Sequence, residues 1–164
     1  MLKYFIYKIT DRILRIHQEC SCKKLLKSLR LQGENIVIHQ PCFFAGNEFI
    51  SIGKNSVINA FTHIWGHGGV TIGENCLIAS HTVITSLTHN SGSKLFSNEN
   101  IAKPVNIGNN VWIGSHAIIL PGVTIGNNVI IGAGCLVNQD VAENAVYVGM
   151  PAKKLYDLDQ FISS

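Results

Sequence analysis

The fold is decided by the run Val105-Asn106-Ile107-Gly108-Asn109-Asn110-Val111-Trp112-Ile113-Gly114-Ser115-His116-Ala117-Ile118-Ile119-Leu120-Pro121-Gly122-Val123-Thr124-Ile125-Gly126-Asn127-Asn128-Val129-Ile130-Ile131. An aliphatic residue recurs there at every sixth position, as Ile107, Ile113, Ile119, Ile125 and Ile131, and then as Val137. Two positions before each stands Val105, Val111, Ala117, Val123, Val129 or Cys135, so every repeat reads as a short strand with two side chains on one side. Gly108, Gly114, Gly126 and Gly132, with Asn109, Asn110, Asn127 and Asn128, fall between the strands. Glycine and asparagine tolerate the positive φ that a chain needs if it turns a corner every few residues, so the strands are flat faces and the Gly-Asn pairs are corners. A fixed period of this kind is the signature of a solenoid.

Upstream of this run the spacing returns in Ile72, Ile78 and Ile84, in Ile52, Ile58 and Ile64, and more loosely in Ile38 and Phe44. Three hexads then make one triangular coil. The fold class is all-β, a parallel β-helix over residues 35–150. A helical segment at 1–34 precedes it and a tail at 151–164 follows, with a short helix expected over Leu155 to Ile162.

Residues 1 to 30 have a different period. Leu2, Phe5, Ile6, Ile9, Ile13, Ile16 and Cys20 recur at helical spacing, which predicts one or two amphipathic helices. Their expected role is to cap an end of the β-helix, which would otherwise expose stacked aliphatics and an unpaired strand edge. Weak peripheral contact with a membrane through the same residues is the alternative.

At 164 residues, with 46% hydrophobic and 14% charged, the chain has material for one domain with a real core. The net charge of +3 is uneven, because Lys3, Lys8, Arg12, Arg15, Lys23, Lys24, Lys27 and Arg30 all precede the repeats. No aromatic-and-basic motif or zinc-finger spacing accompanies them, which sets nucleic acid aside. Cys42, Cys76 and Cys135 lie in apolar segments and read as reduced core residues, as in a cytoplasmic protein. Asp11 and Arg12 interrupt the apolar, basic N-terminal stretch before it reaches the length of a signal peptide or a membrane span.

The period breaks once. After Ile84 the register is lost and returns only at Val105, leaving a polar excursion over residues 85–104. Long loops in compact repeat proteins usually serve binding or catalysis, and His89 is the most chemically capable residue of this one. An imidazole can accept a proton near neutral pH.

The repeats, the excursion with its histidine, the run Trp112-Ile113-Gly114-Ser115 and the closing run Val148-Gly149-Met150-Pro151-Ala152-Lys153 together resemble the hexapeptide-repeat acyltransferases. The resemblance covers about residues 36 to 153 and is closest to the sugar O-acetyltransferases. It implies a left-handed coil, acetyl-CoA as cosubstrate with no metal, a sugar acceptor and a homotrimer with the cofactor between subunits. It assigns the general base to His89. It places the thioester near Trp112, Gly114 and Ser115, the last offering its N–H to the oxyanion, with the pantetheine arm beside Ala133 and a cofactor phosphate on Lys153.

Asn59 matches an acceptor-binding asparagine of such enzymes, although a corner asparagine is an equal reading. His67 stands where galactoside-type members carry an acidic acceptor-binding residue, and Gln139 stands where they carry a second lysine. Both departures bear on substrate and phosphate contacts. An amino-sugar N-acetyltransferase is the main alternative. A γ-type carbonic anhydrase is disfavoured, because Pro121 stands where a partner for His116 would be needed. A non-catalytic β-helix scaffold is disfavoured by the ordered set of motifs.

Overall fold

The computed structural model describes residues 2–158. Helix α1, Leu2–Ser28, leads into a solenoid whose coils each contribute one short strand to each of three sheets. The first coil holds β1 (Leu31–Gln32), β2 (Val37–Ile38) and β3 (Phe43–Ala45). The second holds β4 (Ile50–Ile52), β5 (Val57–Ile58) and β6 (His63–Trp65), and the third β7 (Val70–Ile72), β8 (Leu77–Ile78) and β9 (Val83–Thr85). The excursion follows as a hairpin, β10 (Leu87–His89) and β11 (Asn100–Ala102). The solenoid resumes with β12 (Val105–Ile107), β13 (Val111–Ile113) and β14 (Ile118–Ile119), then β15 (Thr124–Ile125), β16 (Val129–Ile131) and β17 (Leu136–Val137). It closes with β18 (Ala145–Val148) and β19 (Lys153–Asp157).

Register across the coils is strictly parallel, so each aliphatic lies over its counterpart. Ile38, Ile58, Ile78, Ile113 and Ile131 form one column, Ile52, Ile72, Ile107 and Ile125 a second, and Ile64, Ile84, Ile119 and Val137 a third. These side chains fill the prism and are buried. Burial of each contributes about 1.5–3 kcal/mol, and β-branched chains fit the pleat with little loss of rotamer freedom.

The corners divide the labour differently from the expected Gly-Asn pairs. Asn35, Asn55, Asn75, Asn110, Asn128 and Asn144 supply the positive φ at one corner. Their side chains form a ladder, with Asn110 Nδ2 donating to Asn128 Oδ1 at 2.9 Å and Asn128 Nδ2 to Asn144 Oδ1 at 2.9 Å. The glycines that precede them are not left-handed; they permit close stacking instead. A Cβ on Gly73 would meet the carbonyl oxygen of Gly108 at 2.5 Å. A second corner takes Phe61, His81 and His116 at positive φ, with rings stacked 4.8 and 4.7 Å apart.

Two further expectations change. Only the last turns of α1 act as a cap, through Cys22, Leu25 and Leu26, with Leu29 just beyond the helix buried beneath them; the residues from Lys3 to Cys20 are exposed. The solenoid itself begins at Leu31, four residues before the expected boundary at 35. The C-terminal helix is not formed over Leu155–Asp157, because Lys153–Asp157 pairs antiparallel with β18 and covers an otherwise open sheet edge. Residues 159–162 of that expected helix lie outside the described residues.

The outer surfaces of the sheets differ in character. The sheet of β1, β4, β7, β12 and β15 points Ser51, Thr71, Asn106 and Thr124 outward. The sheet built on β2, β5, β8, β13 and β16 presents Val37, Val57, Leu77, Trp112 and Ile130. The remaining sheet presents Phe43, His63, Val83, Ile118 and Leu136. One face is polar and two are apolar. We call them the polar, tryptophan and phenylalanine faces.

Candidate active site

The excursion leaves the prism at the corner between the phenylalanine and polar faces. Its two strands pair Leu87 with Ala102, Thr88 with Ile101 and His89 with Asn100. The tip is closed by Asn90, whose Nδ2 donates to Glu99 Oε2 at 2.6 Å and whose Oδ1 accepts from Gly92 N at 2.9 Å. His89 is therefore carried on an ordered hairpin, exposed, rather than on a structureless loop.

The hairpin is fastened by Ser86, a residue the sequence reading passed over. Ser86 is fully buried. Its Oγ donates to Trp65 O at 2.7 Å and accepts from Gly68 N at 2.9 Å, while its carbonyl accepts from Lys103 N at 2.9 Å. Gly68 belongs to the loop Gly66-His67-Gly68-Gly69 of the preceding coil. A Cβ there would lie 2.3 Å from the Ser86 carbonyl oxygen and 3.0 Å from Lys103 N. The signal was present in the sequence as a glycine-rich run one coil before the register break. His67 is exposed in that same loop, its ring 6.4 Å from that of Trp65, so His67 and the base of the His89 hairpin share one corner.

The other candidates cluster elsewhere. Trp112 stands on the tryptophan face, 49% exposed, and with Leu77, Ile130 and Leu158 lines a cavity of about 250 Å³. Gly114, Ser115 and Ala133 lie at the next corner, between the tryptophan and phenylalanine faces. Gly114 is buried, and a Cβ on it would meet Ala133 N at 2.5 Å, so its role in the structure is coil stacking. Ser115 O accepts from Gly134 N at 2.8 Å. The N–H groups of Ser80, Ser115 and Ala133, stacked at equivalent positions, have no intramolecular partner among the described residues. They form a column of available donors.

Asn59 occupies the Gly114 position two coils earlier, its N–H donating to Ile78 O at 2.9 Å. It stands at that corner without being one of the positive-φ asparagines. Lys153 is exposed and, together with Gln139, Asp140 and Tyr147, lines a cavity of about 310 Å³ at the end of the solenoid. A groove of about 460 Å³ lies between α1 and the first coil and holds none of these candidates. Among the described residues no three His, Cys, Asp or Glu side chains are grouped to hold a metal ion, and no helix is long and apolar enough to cross a membrane.

A single chain therefore brings His67 and His89 to one corner and Asn59, Ser115 and Ala133 to another, with the phenylalanine face between them. The buried thiols of Cys76 and Cys135 are unconnected with either. Burial pushes both pKa values up, as it does for the half-buried Cys42.

Family models and relatives agree with this architecture. Residues 104–139 match the bacterial transferase hexapeptide (six repeats) and residues 50–86 the hexapeptide repeat of succinyl-transferase. The chain is 41% identical to galactoside O-acetyltransferase of Escherichia coli over 128 residues, 77% of this chain and 63% of that protein. It thus spans less than two thirds of that relative's length. A galactoside acetyltransferase solved in complex with coenzyme A is 38% identical, covering 82% of this chain and 68% of that one, with a TM-score of 0.78. A maltose O-acetyltransferase from Clostridium difficile is 30% identical, covering 88% of both chains, with a TM-score of 0.76. The chain belongs to the hexapeptide-repeat acetyltransferase family, and its fold is the left-handed parallel β-helix of that family.

Proposed function

We propose that this protein transfers an acetyl group from acetyl-CoA to a hydroxyl of a sugar or polysaccharide precursor in the cytoplasm, with His89 as general base. The observation that carries the reading is the ordered hairpin, which holds an exposed imidazole beside the His67 loop at the one break in the repeat. The relatives named above, one of them solved with coenzyme A, support the reaction class.

In this reading His89 takes the proton of the acceptor hydroxyl as its oxygen attacks the thioester carbonyl carbon. The carbonyl oxygen becomes an oxyanion, which the Ser115 N–H can receive because no described residue uses it. Collapse breaks the carbon–sulfur bond, and the departing thiolate of CoA takes the proton back from His89. No covalent enzyme intermediate forms. Trp112 flanks the thioester, the pantetheine arm lies along Ala133, and Lys153 meets a phosphate at the mouth of the cavity it shares with Gln139. Asn59 and His67 hold acceptor hydroxyls.

A homotrimer completes this site. The imidazole and the donor column sit at different corners of one prism, and a ring in which the phenylalanine face of one copy meets the tryptophan face of the next would unite them. That two faces are apolar and the third polar is what such a ring requires, since each copy buries two faces and leaves one in water.

Replacing His89 by Ala tests the assignment. Turnover should fall about 10²–10⁴-fold with acetyl-CoA affinity little changed, measured by CoA thiol release across a panel of galactosides, maltose, nucleotide- and lipid-linked sugars and amino sugars. A near-normal rate would remove His89 from the mechanism. Preference for an amino sugar would replace the hydroxyl acceptor by an amine, and efficient use of simple galactosides would dismiss the polysaccharide-precursor assignment.

A further inference from the structure

Helix α1 carries two apolar faces on opposite sides. At about 100° per residue, Cys22, Leu25 and Leu26 cluster around one direction and Phe5, Ile6, Ile9, Ile13 and Ile16 around another, about 155° away. The first cluster packs on the solenoid. The second does not join the core of the described residues, its members being 43 to 62% exposed. It faces away from the coil that anchors the helix, so bending of the helix over its own prism would not cover it.

What continues along the same side decides the partner. Below Ile16 and Cys20 the side that carried the apolar stripe carries Lys23, Lys24 and Lys27. Of the two acidic residues of the helix, Asp11 lies off that side in an ion pair with Arg15 at 2.9 Å, and Glu19 lines the groove against the first coil, where Lys23 also stands at the edge of the cationic side. Arg12 flanks the stripe. One side of the helix is thus apolar for its first half and cationic for its second, with no acid on it.

We infer that this side of α1 docks on an anionic lipid bilayer, with Phe5 to Ile16 at the level of the acyl boundary and Lys23, Lys24 and Lys27 against headgroup phosphates. Apolar burial and charge attraction add for a helix lying in the interface. A second copy is the poorer occupant, because parallel α1 helices meeting along this side would set three lysines against three. Docking would bring the prism to acceptors displayed at a bilayer surface. It does not depend on the chemistry proposed above, and either can fail without the other.

The test uses the full chain in cosedimentation with vesicles of equimolar phosphatidylglycerol and phosphatidylcholine, against vesicles of phosphatidylcholine alone, with light scattering for oligomeric mass. The protein should bind the anionic vesicles and be released by added salt. The exposed pair Ile9→Glu/Ile13→Glu should lower the partition coefficient at least about a hundredfold. Lys23→Gln/Lys24→Gln/Lys27→Gln should lower it by about the same, since each lysine near such a surface accounts for a factor of about five. Both variants should keep the parent's mass and its rate on a soluble acceptor. Equal binding to both vesicle types, no binding to either, or a fall in mass in the isoleucine variant would overturn the inference, the last because it would show α1 pairing copies of the chain.

Discussion

Substituting Gly68 by Ala should damage the reaction more than it damages the protein. The methyl group would arrive 2.3 Å from the Ser86 carbonyl oxygen and 3.0 Å from Lys103 N, both backbone atoms at the root of the hairpin. An ordinary carbon–oxygen contact is nearly 1 Å longer, so the two chain segments must separate by about that distance. Forced overpacking of this kind costs about 1–3 kcal/mol, which in a chain of this size lowers Tm by about 2–4 °C per kcal/mol. The displacement is directed at the hairpin that carries His89, and a misplacement of about 1 Å at a reacting group can cost about a hundredfold in rate. Thermal unfolding and the CoA thiol-release assay read the two effects separately, with acetyl-CoA affinity expected to stay near the parent value.

Gly92→Ala is the matched control. It lies in the same excursion, but its added Cβ would meet only Asn90 Oδ1, at an ordinary 3.4 Å. If Gly68→Ala kept both Tm and turnover, or if Gly92→Ala lost as much turnover as Gly68→Ala, the account of how the excursion is fastened would be wrong.

Lys153→Ala should raise KM for acetyl-CoA by about fivefold with kcat little altered, as befits one exposed charge on a phosphate; an unchanged KM would remove Lys153 from the cofactor site. The buried thiols give a pH dependence. Burial raises the folded pKa of Cys42, Cys76 and Cys135 above that of the unfolded chain, so stability is fully present below the unfolded value of about 8.5. As pH rises through that value the unfolded thiols ionise first and stability declines. A Cys76→Ala variant should show a shallower alkaline fall in Tm than the parent, and in native protein the exposed Cys20 should alkylate well before Cys76 and Cys135; equal labelling of all five cysteines would contradict the burial assigned to them.

The solenoid was legible because its core uses one residue type at one interval. A side chain every sixth position lands at the same place on each successive face of a coil, and Ile107, Ile113 and Ile119 are all buried, one in each column, as that arithmetic requires. The corners were half legible. Asparagine announces positive φ, but His81 and His116 adopt it too, and no local preference distinguishes them. They stand there because the column beginning at Phe61 stacks ring on ring across coils, a contact between residues far apart in the chain. Lys153–Asp157, whose last three residues open the expected helix over Leu155–Ile162, is a strand for the same reason. Its five residues carry no strand alternation, and what makes them a strand is the edge of β18 waiting beside them.

The candidate site divides along the same line between local and distant information. His89 was visible as chemistry because it sits at the single loss of register. Its position around the prism follows from which sheet Ile84 closes, and Ser86 and Gly68 fix it there from adjacent coils. That position puts the imidazole one face away from the donors at Ser115 and Ala133, so a lone prism built as described would bind both substrates poorly and react them slowly. Activity should therefore track assembly. A charge placed at the centre of the tryptophan face, as in Leu77→Glu, lies outside the core columns and leaves the coil intact, yet it opposes the apolar contact that would bring one copy's hairpin to the next copy's corner. Loss of both assembly and turnover in Leu77→Glu, by light scattering and CoA thiol release, is the outcome the proposed ring requires, and full turnover from a monomeric variant would refute it.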